Sequence, residues 1–117
     1  MRQQLHDAIG AHGAWKARLR TAIEQGTNDR EVLAARASER CSFGRWLQHM
    51  PGSDRDPRFF ARVHELHEAF HREAAAVLDL ARLGRHEEAA RSLAPGADFD
   101  RLSDALTNAM LDWARAA

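Results

Sequence analysis

Two histidines four residues apart are the first feature of this sequence that could carry chemistry. His67 and His71 lie in a stretch whose apolar residues recur every three or four positions, which predicts a helix. On a helix this spacing places both imidazoles on one face, one turn apart, where they can bind the same metal ion. His67 follows Leu66 at the edge of the apolar stripe, so we expect it to face the protein core.

Two more residues carry side chains that bind the same class of metal. His12 falls on the apolar stripe of a predicted first helix, and Cys41 is the single cysteine of the chain. Three imidazole nitrogens and one sulfur make a complete tetrahedral set for zinc, whereas magnesium and calcium prefer oxygen. Spacing alone leaves a second interpretation open, in which His12 is a hydrogen-bonded core residue and Cys41 a small buried one.

The other histidines have weaker claims on a metal. His64 lies three residues before His67, as a candidate substitute ligand or a group that orients a ligand. We prefer to interpret it as a solvent-exposed partner of the neighbouring glutamates. Three histidines follow no pattern and are assigned to the surface: His6, His49 and His86. Three tryptophans are interpreted as core or interface packing: Trp15, Trp46 and Trp113.

The N-terminal half is predicted to be helical. The expected helices are residues 2–25, ending at Gly26, residues 29–37, and a segment from Ser38 to Met50. Cys41 falls near the first turn of the last segment, where the helix dipole and free N–H groups favour a thiolate. Gly44 follows in the same helix at a cost of about 1 kcal/mol relative to alanine, so we expect another group to pack closely against its backbone.

The C-terminal half is also predicted to be helical. The expected segments are a loop at 51–57, a central helix from Pro57 to Leu83, a short helix at 85–93 and a last helix capped by Asp98. The central helix should begin with Asp56 as its cap and Pro57 at its first position. No segment alternates as a strand does. The sequence therefore predicts an all-α fold, an antiparallel four-helix bundle with a short cysteine-bearing helix, in a single domain of residues 1–117.

The composition limits the classes of function. Seventeen basic and seventeen acidic residues cancel, which argues against nucleic acid as a partner. No segment resembles a signal peptide or the roughly 20 apolar residues that cross a bilayer, so we expect a cytoplasmic protein without a membrane. The chain has no Gly-rich phosphate loop and no Ser/His/Asp grouping. Zinc with four protein ligands also keeps no open position, so we do not expect an enzyme.

Three motifs resemble those of the chemoreceptor zinc-binding domain family. The segment Cys41 to Leu47 is similar to the family signature Cys-x-Leu/Phe-Gly-x-Trp. His12 with Trp15 resembles its His-x-x-Trp motif, and the segment His67 to His71 resembles its His-x-x-Phe-His motif. The motifs come in the family's order, with suitable gaps of 29 and then 26 residues between their first positions.

The resemblance covers residues 5–83 by motif and implies both a fold and a role. The family holds zinc in a four-helix bundle with three histidines and one cysteine, which here would be His12, Cys41, His67 and His71. Members are regulatory, and zinc occupancy or oxidation of the cysteine changes the output of a neighbouring chemoreceptor or diguanylate cyclase region. This chain has no room for an output domain, so we expect a stand-alone or excised domain that acts on a signalling partner protein.

Other assemblies and metals stay open. The family often pairs through its helices, and Trp113 would be a large apolar group to leave exposed, so a homodimer is expected. One alternative is an iron-binding, hemerythrin-like or di-iron bundle, because Glu65, Glu68 and His71 form a partial Glu-x-x-His element. No second helix repeats that element. The other alternative is zinc as a purely structural staple in a dimerising bundle.

Overall fold

The fold is built around the predicted central helix, which is the longest amphipathic segment of the sequence. The computed structural model describes residues 1–117 and contains no strand, which confirms the all-α fold class. No helix is both long and apolar enough to cross a membrane. The helices are α1 (Arg2–Gly13), α2 (Trp15–Gln25), α3 (Asp29–Arg36), α4 (Ser42–His49), α5 (Phe60–Arg82), α6 (His86–Ser92) and α7 (Asp98–Ala116).

The bundle consists of four helical rods that run in alternating directions: α1–α2, α3, α5 and α7. α1 and α2 form one nearly continuous rod, because Ala14 between them keeps a right-handed helical backbone. Arg2 at the start of α1 donates hydrogen bonds to carbonyl oxygens at the end of α7, including that of Ala117, so these two helices are antiparallel. Arg82 at the end of α5 pairs with Asp29 at the start of α3. The predicted antiparallel four-helix bundle is therefore confirmed, with α4 and α6 as short additions.

The core lies on the inner face of α5, which packs against α2, α3, α6 and α7. Buried apolar residues such as Val63, Phe70 and Val77 supply most of this face. Burial of one such side chain stabilises the fold by about 1.5–3 kcal/mol. Among the 28 buried residues only three have polar side chains, and all three are histidines: His12, His67 and His71.

The predicted start of the central helix is wrong by three residues. α5 begins at Phe60, whereas the sequence predicted Pro57 at the first helical position. The Asp56 carboxylate accepts hydrogen bonds from the backbone N–H and the guanidinium of Arg58, which closes a turn before the helix. The Asp56 carboxylate therefore stabilises a turn before the helix and does not cap the first turn of the helix.

The predicted cap of the last helix is also wrong. α7 begins at Asp98 itself, and the preceding Ala97 occupies the cap position without a side-chain hydrogen bond. Asp100 instead accepts a hydrogen bond from the backbone N–H of Gly96, in the turn that precedes the helix.

Trp113 is buried, with 2% of its surface exposed. Its ring centroid lies 6.0 Å from that of Trp46 and 6.4 Å from those of Phe59 and Phe60. This agrees with the interpretation of Trp113 as a core residue, and because the tryptophan packs within its own chain it gives no support to a homodimer. The homodimer itself stays a prediction.

Candidate metal centre

Four side chains from three parts of the chain meet inside the bundle. His12 lies near the end of α1, Cys41 immediately precedes α4, and His67 and His71 lie on α5. One donor atom from each residue lies within 4.8 Å of every other. We call this group the His/Cys cluster. The structure therefore brings together all four residues that the sequence assigned to a metal.

The spacing of the donor atoms fits a zinc ion. The Nε2 atom of His67 lies 3.1 Å from the Nε2 atoms of both His12 and His71. The Cys41 sulfur lies 3.7 Å from the Nε2 atom of His12. Tetrahedral zinc with ordinary bond lengths separates two nitrogens by about 3.3 Å and a nitrogen from a sulfur by about 3.6 Å. The residues present thus suit this ion in type, number and separation.

Backbone carbonyls hold two of the rings in the orientation that a metal requires. The Nδ1–H of His12 donates to the Ala8 carbonyl at 2.7 Å, and the Nδ1–H of His71 donates to the Ala35 carbonyl at 2.8 Å. Because a carbonyl oxygen can only accept, each Nδ1 carries the hydrogen. The Nε2 atom of each neutral ring then presents its lone pair to the cluster.

Burial keeps the histidines in the form that binds a metal. Burial, with smaller contributions from the charges of His71, His12 and His64, lowers the pKa of His67 to about 2. Burial also lowers the pKa of His12, although the hydrogen bond to Ala8 opposes this effect. A neutral imidazole is the metal-binding form, so no proton has to leave these two rings at neutral pH.

The half-buried thiol of Cys41 is shifted toward the thiolate. Burial raises its pKa, but the neighbouring His71 side chain and the backbone N–H groups of Gly44 and Phe43 lower it by more, so the net pKa lies below the ordinary value. The position of Cys41 just before α4 explains these contacts, because the first N–H groups of a helix have no partner within the helix.

Gly44 allows the turn that carries Cys41 to fold against α4. A Cβ atom at Gly44 would lie 1.9 Å from the carbonyl oxygen of Ser38 and 3.2 Å from Cε1 of His67. The same Ser38 carbonyl accepts a hydrogen bond from the backbone N–H of Cys41. The sequence-based expectation of close packing at Gly44 is confirmed, and the approaching group is this carbonyl.

Aromatic rings surround the His/Cys cluster. Phe70 and Phe43 present their rings to His12 at centroid distances of 5.3 and 6.0 Å. Trp15 lies 5.8 Å from the ring of His71. These apolar walls lower the local dielectric constant, which strengthens the attraction between a metal ion and its ligands.

The remaining histidines lie outside the cluster, as expected. His64 is half exposed and its Nδ1 lies 3.2 Å from a carboxylate oxygen of Glu68, which agrees with its interpretation as a surface partner. The other three are exposed: His6, His49 and His86. Sequence reasoning missed the carbonyls of Ala8 and Ala35. Every residue has a carbonyl, so no sequence signal could have identified them.

The comparisons with known proteins point to one family. The family model described as the chemoreceptor zinc-binding domain matches residues 12–78, which is more than half of the chain and includes the whole His/Cys cluster. Neither the curated proteins nor the solved structures gave a match.

Proposed function

Because the chain belongs to the chemoreceptor zinc-binding domain family, we propose that it is a regulatory domain of bacterial signalling that binds one zinc ion through His12, Cys41, His67 and His71. The observation that carries this proposal is the approach of three imidazole nitrogens and one sulfur inside a core that is otherwise apolar. Four protein ligands leave zinc no open position for water or substrate, so the proposed role is binding and not catalysis.

The proposed mechanism depends on how loosely the Cys41 segment is held. α4 packs less extensively against α1 and α5 than α3 or α7 does against α5. Bound zinc would link the Cys41 sulfur, through the metal ion, to the histidines of α1 and α5. Without that bond the segment from Ser38 to His49 would be held by the packing of a short helix, so we expect it to move first.

Cys41 is also the proposed point of attack by an oxidant. It is partly exposed, whereas the three histidines of the cluster are buried. Hypochlorous acid would transfer oxygen to the thiolate, giving a sulfenic acid and chloride, and the sulfur would then be a poorer metal donor. Zinc occupancy and oxidation would thus act on the same segment.

We further propose that the chain forms one domain over residues 1–117 and works in the cytoplasm with a signalling partner protein, with a homodimer as its assembly. The support is the balance of charge, the single cysteine and the family's usual role.

Elemental analysis and metal competition test the zinc proposal. The purified protein should contain one zinc ion per chain, and Cys41→Ala should weaken zinc binding about 100-fold in competition with a chelator, because a thiolate ligand is lost. His64→Ala is the matched control, since it removes an exposed histidine from the same helix. Equal zinc affinities of the wild type and Cys41→Ala would contradict the proposal.

A di-iron site has less support. The His/Cys cluster includes no carboxylate, whereas di-iron bundles use several. Glu68, part of the partial Glu-x-x-His element, pairs with His64 at the surface. An optical spectrum separates the two metals, because zinc is colourless and oxo-bridged iron absorbs in the near ultraviolet and visible.

A purely structural role for zinc makes a different prediction from the regulatory role. If zinc only staples the bundle, removing it should unfold the protein. If zinc regulates, most of the helical circular dichroism should persist after chelation, because the apolar core of α5 and α7 remains.

A further inference from the structure

Arg55 joins the end of α4 to the start of α5. Its Nε–H donates to the carbonyl of Met50 and its Nη2–H to the carbonyl of Gln48, each over 3.1 Å. These carbonyls lie at the C-terminal end of α4, where the carbonyls of a helix have no partner within it. The same guanidinium lies 4.8 Å from the ring centroid of Phe60, the first residue of α5. One side chain therefore holds two helix ends together.

The ring on which Arg55 stacks is itself part of the packed interior. Phe60 packs against the apolar core, and its ring centroid lies 6.4 Å from that of Trp113. Arg55 forms no ion pair with a carboxylate, so its interactions are those with the two carbonyls and the ring. A guanidinium can make these interactions at the same time, because it is planar and carries several N–H donors in its plane.

The apolar contacts of α4 restrain its orientation less than directional bonds do. Phe43 and Leu47 bury the inner face of this short helix in the core, but the hydrophobic effect has no preferred direction. Hydrogen bonds have one, because they weaken steeply as the angle at the donor hydrogen departs from a straight line. The two bonds from Arg55 therefore restrain the tilt of α4 in a way that its apolar contacts do not.

The tilt of α4 matters because Cys41 immediately precedes its first residue, at the end opposite to Arg55. A helix of eight residues is about 12 Å long, so a tilt of about 5° around its C-terminal end displaces the other end by about 1 Å. A metal site accepts deviations of only about 0.2 Å in its bond lengths. A small tilt would therefore remove the Cys41 sulfur from its position beside the Nε2 atom of His12.

We propose that Arg55 is a positioning residue for the metal centre. By holding the C-terminal end of α4 against Phe60, it places the Cys41 sulfur among the three histidines without itself belonging to the His/Cys cluster. This inference rests on the proposed function and deepens it, because it makes a residue outside the cluster a determinant of zinc affinity. The same bonds exist without a metal, so Arg55 should also keep the half-buried Cys41 thiol in place in the metal-free protein.

Metal binding by Arg55→Ala tests the inference. Its zinc affinity, measured by competition with a chelator, should be about tenfold lower than that of the wild type, because a group that orients a ligand is lost. Arg58→Ala is the matched control. Arg58 lies in the same loop, but its hydrogen bonds and ring contact are with Asp56 and Phe59 and not with α4, so this variant should stay within about twofold of the wild type. Arg55→Lys keeps the charge but not the planar pair of donors, so it should recover only part of the lost affinity.

Two further measurements separate positioning from a general loss of stability. Cobalt(II) binds the same nitrogen and sulfur ligands as zinc, and at full occupancy its sulfur-to-metal charge-transfer absorption should be weaker in Arg55→Ala than in Arg58→Ala. In the metal-free protein, iodoacetamide should alkylate Cys41 about tenfold faster in Arg55→Ala than in Arg58→Ala, because the loss of two hydrogen bonds makes local opening of the segment more frequent.

Four results would overturn the inference on Arg55. They are equal zinc affinities of Arg55→Ala and Arg58→Ala, full recovery of affinity in Arg55→Lys, a cobalt spectrum of Arg55→Ala that matches the wild type, and equal rates of alkylation. Zinc binding by the wild type with any of these results leaves the proposed function intact. A wild-type protein that holds no zinc overturns the proposed function. Faster alkylation of Arg55→Ala would then still support the hold of Arg55 on the Cys41 segment, and equal rates would overturn it.

Discussion

At the scale of single residues, Gly44 shows that the absence of a side chain can matter as much as a ligand. Helix propensity alone would favour alanine there by about 1 kcal/mol. The carbonyl of Ser38 occupies the space that a methyl group would need, and this carbonyl belongs to the turn that positions Cys41. A substitution that improves the helix should therefore damage the site.

We expect Gly44→Ala to weaken zinc binding by about tenfold and to lower the free energy of unfolding by about 1–3 kcal/mol, because the Ser38 turn must move to relieve the clash. Chelator competition and urea unfolding measure the two effects. Gly10→Ala is the control, since a Cβ there meets no atom within 4 Å. It should raise stability by about 1 kcal/mol. An unchanged zinc affinity of Gly44→Ala would show that the turn adapts without moving Cys41.

The buried histidines predict a pH dependence of the metal-free protein. The unfolded chain protonates its histidines near pH 6.5, whereas burial holds the folded-state pKa of His67 at about 2 and lowers that of His12. Between these values the unfolded state binds more protons, so the free energy of unfolding should fall as the pH decreases from about 7 to 5. Each such histidine contributes up to about 1.4 kcal/mol per pH unit.

Urea unfolding in the presence of EDTA measures this slope. His67→Gln should give a shallower slope than the wild type, because the glutamine does not titrate. His49→Gln removes an exposed histidine and should leave the slope unchanged. A metal-free protein whose stability is constant or increases over this range would argue against neutral buried histidines.

At the scale of the elements, α3 and the His/Cys cluster depend on each other. The carbonyl of Ala35 lies in the last turn of α3, where helical carbonyls have no partner within the helix. His71 of α5 donates to it. The same hydrogen bond therefore satisfies a free carbonyl at the end of α3 and orients a candidate ligand on α5. A change in the cluster should therefore alter the structure at the end of α3 and in the turn that follows.

Zinc removal should loosen one part of the bundle selectively. After chelation, hydrogen exchange should increase first between Ser38 and His49, because α4 is short and packs less extensively against α1 and α5 than α3 and α7 do against α5. α5 and α7 should stay protected by their shared apolar core. Exchange measured by mass spectrometry on zinc-loaded and chelated samples gives the answer. A uniform increase over all helices would instead indicate a structural staple.

At the scale of the whole molecule, Trp113 links the far end of α7 to the core. Its burial against Trp46 and Phe59 joins parts of the chain that are more than 50 residues apart. Trp113→Ala should lower the free energy of unfolding by about 3–5 kcal/mol, because it leaves a large cavity. Leu33→Ala is the control and should change stability by about 0.5 kcal/mol or less, since Leu33 is 63% exposed.

Urea unfolding measures the effect of Trp113→Ala, and light scattering measures the mass of the particle. The mass should be the same for the variant and the wild type, because the tryptophan packs within one chain. A change in mass with little loss of stability would instead place Trp113 in an interface between copies.

The sequence predicted the helices and the His/Cys cluster better than the residues at which the helices begin. The helix period and the residue types of the His/Cys cluster are repeated or chemically distinctive signals, so the bundle and the meeting of the four side chains could be anticipated. The helix starts near Asp56 and Asp98 could not, because the Asp56 carboxylate closes a turn and the Asp98 carboxylate pairs with Arg101. The stripe of the last helix indicated that Trp113 is covered, but whether its own chain or a second copy covers it depends on residues far away in the chain, which local patterns do not report.

The contact between Arg2 and the end of α7 brings the two termini together at one end of the bundle. A short linker could join them, and new termini could be opened in the loop at 51–57. In such a circular permutant His67 and His71 would come before His12 and Cys41 along the chain, yet every helix could keep its neighbours. The metal centre therefore depends on which helices pack together and not on the order of the helices along the chain.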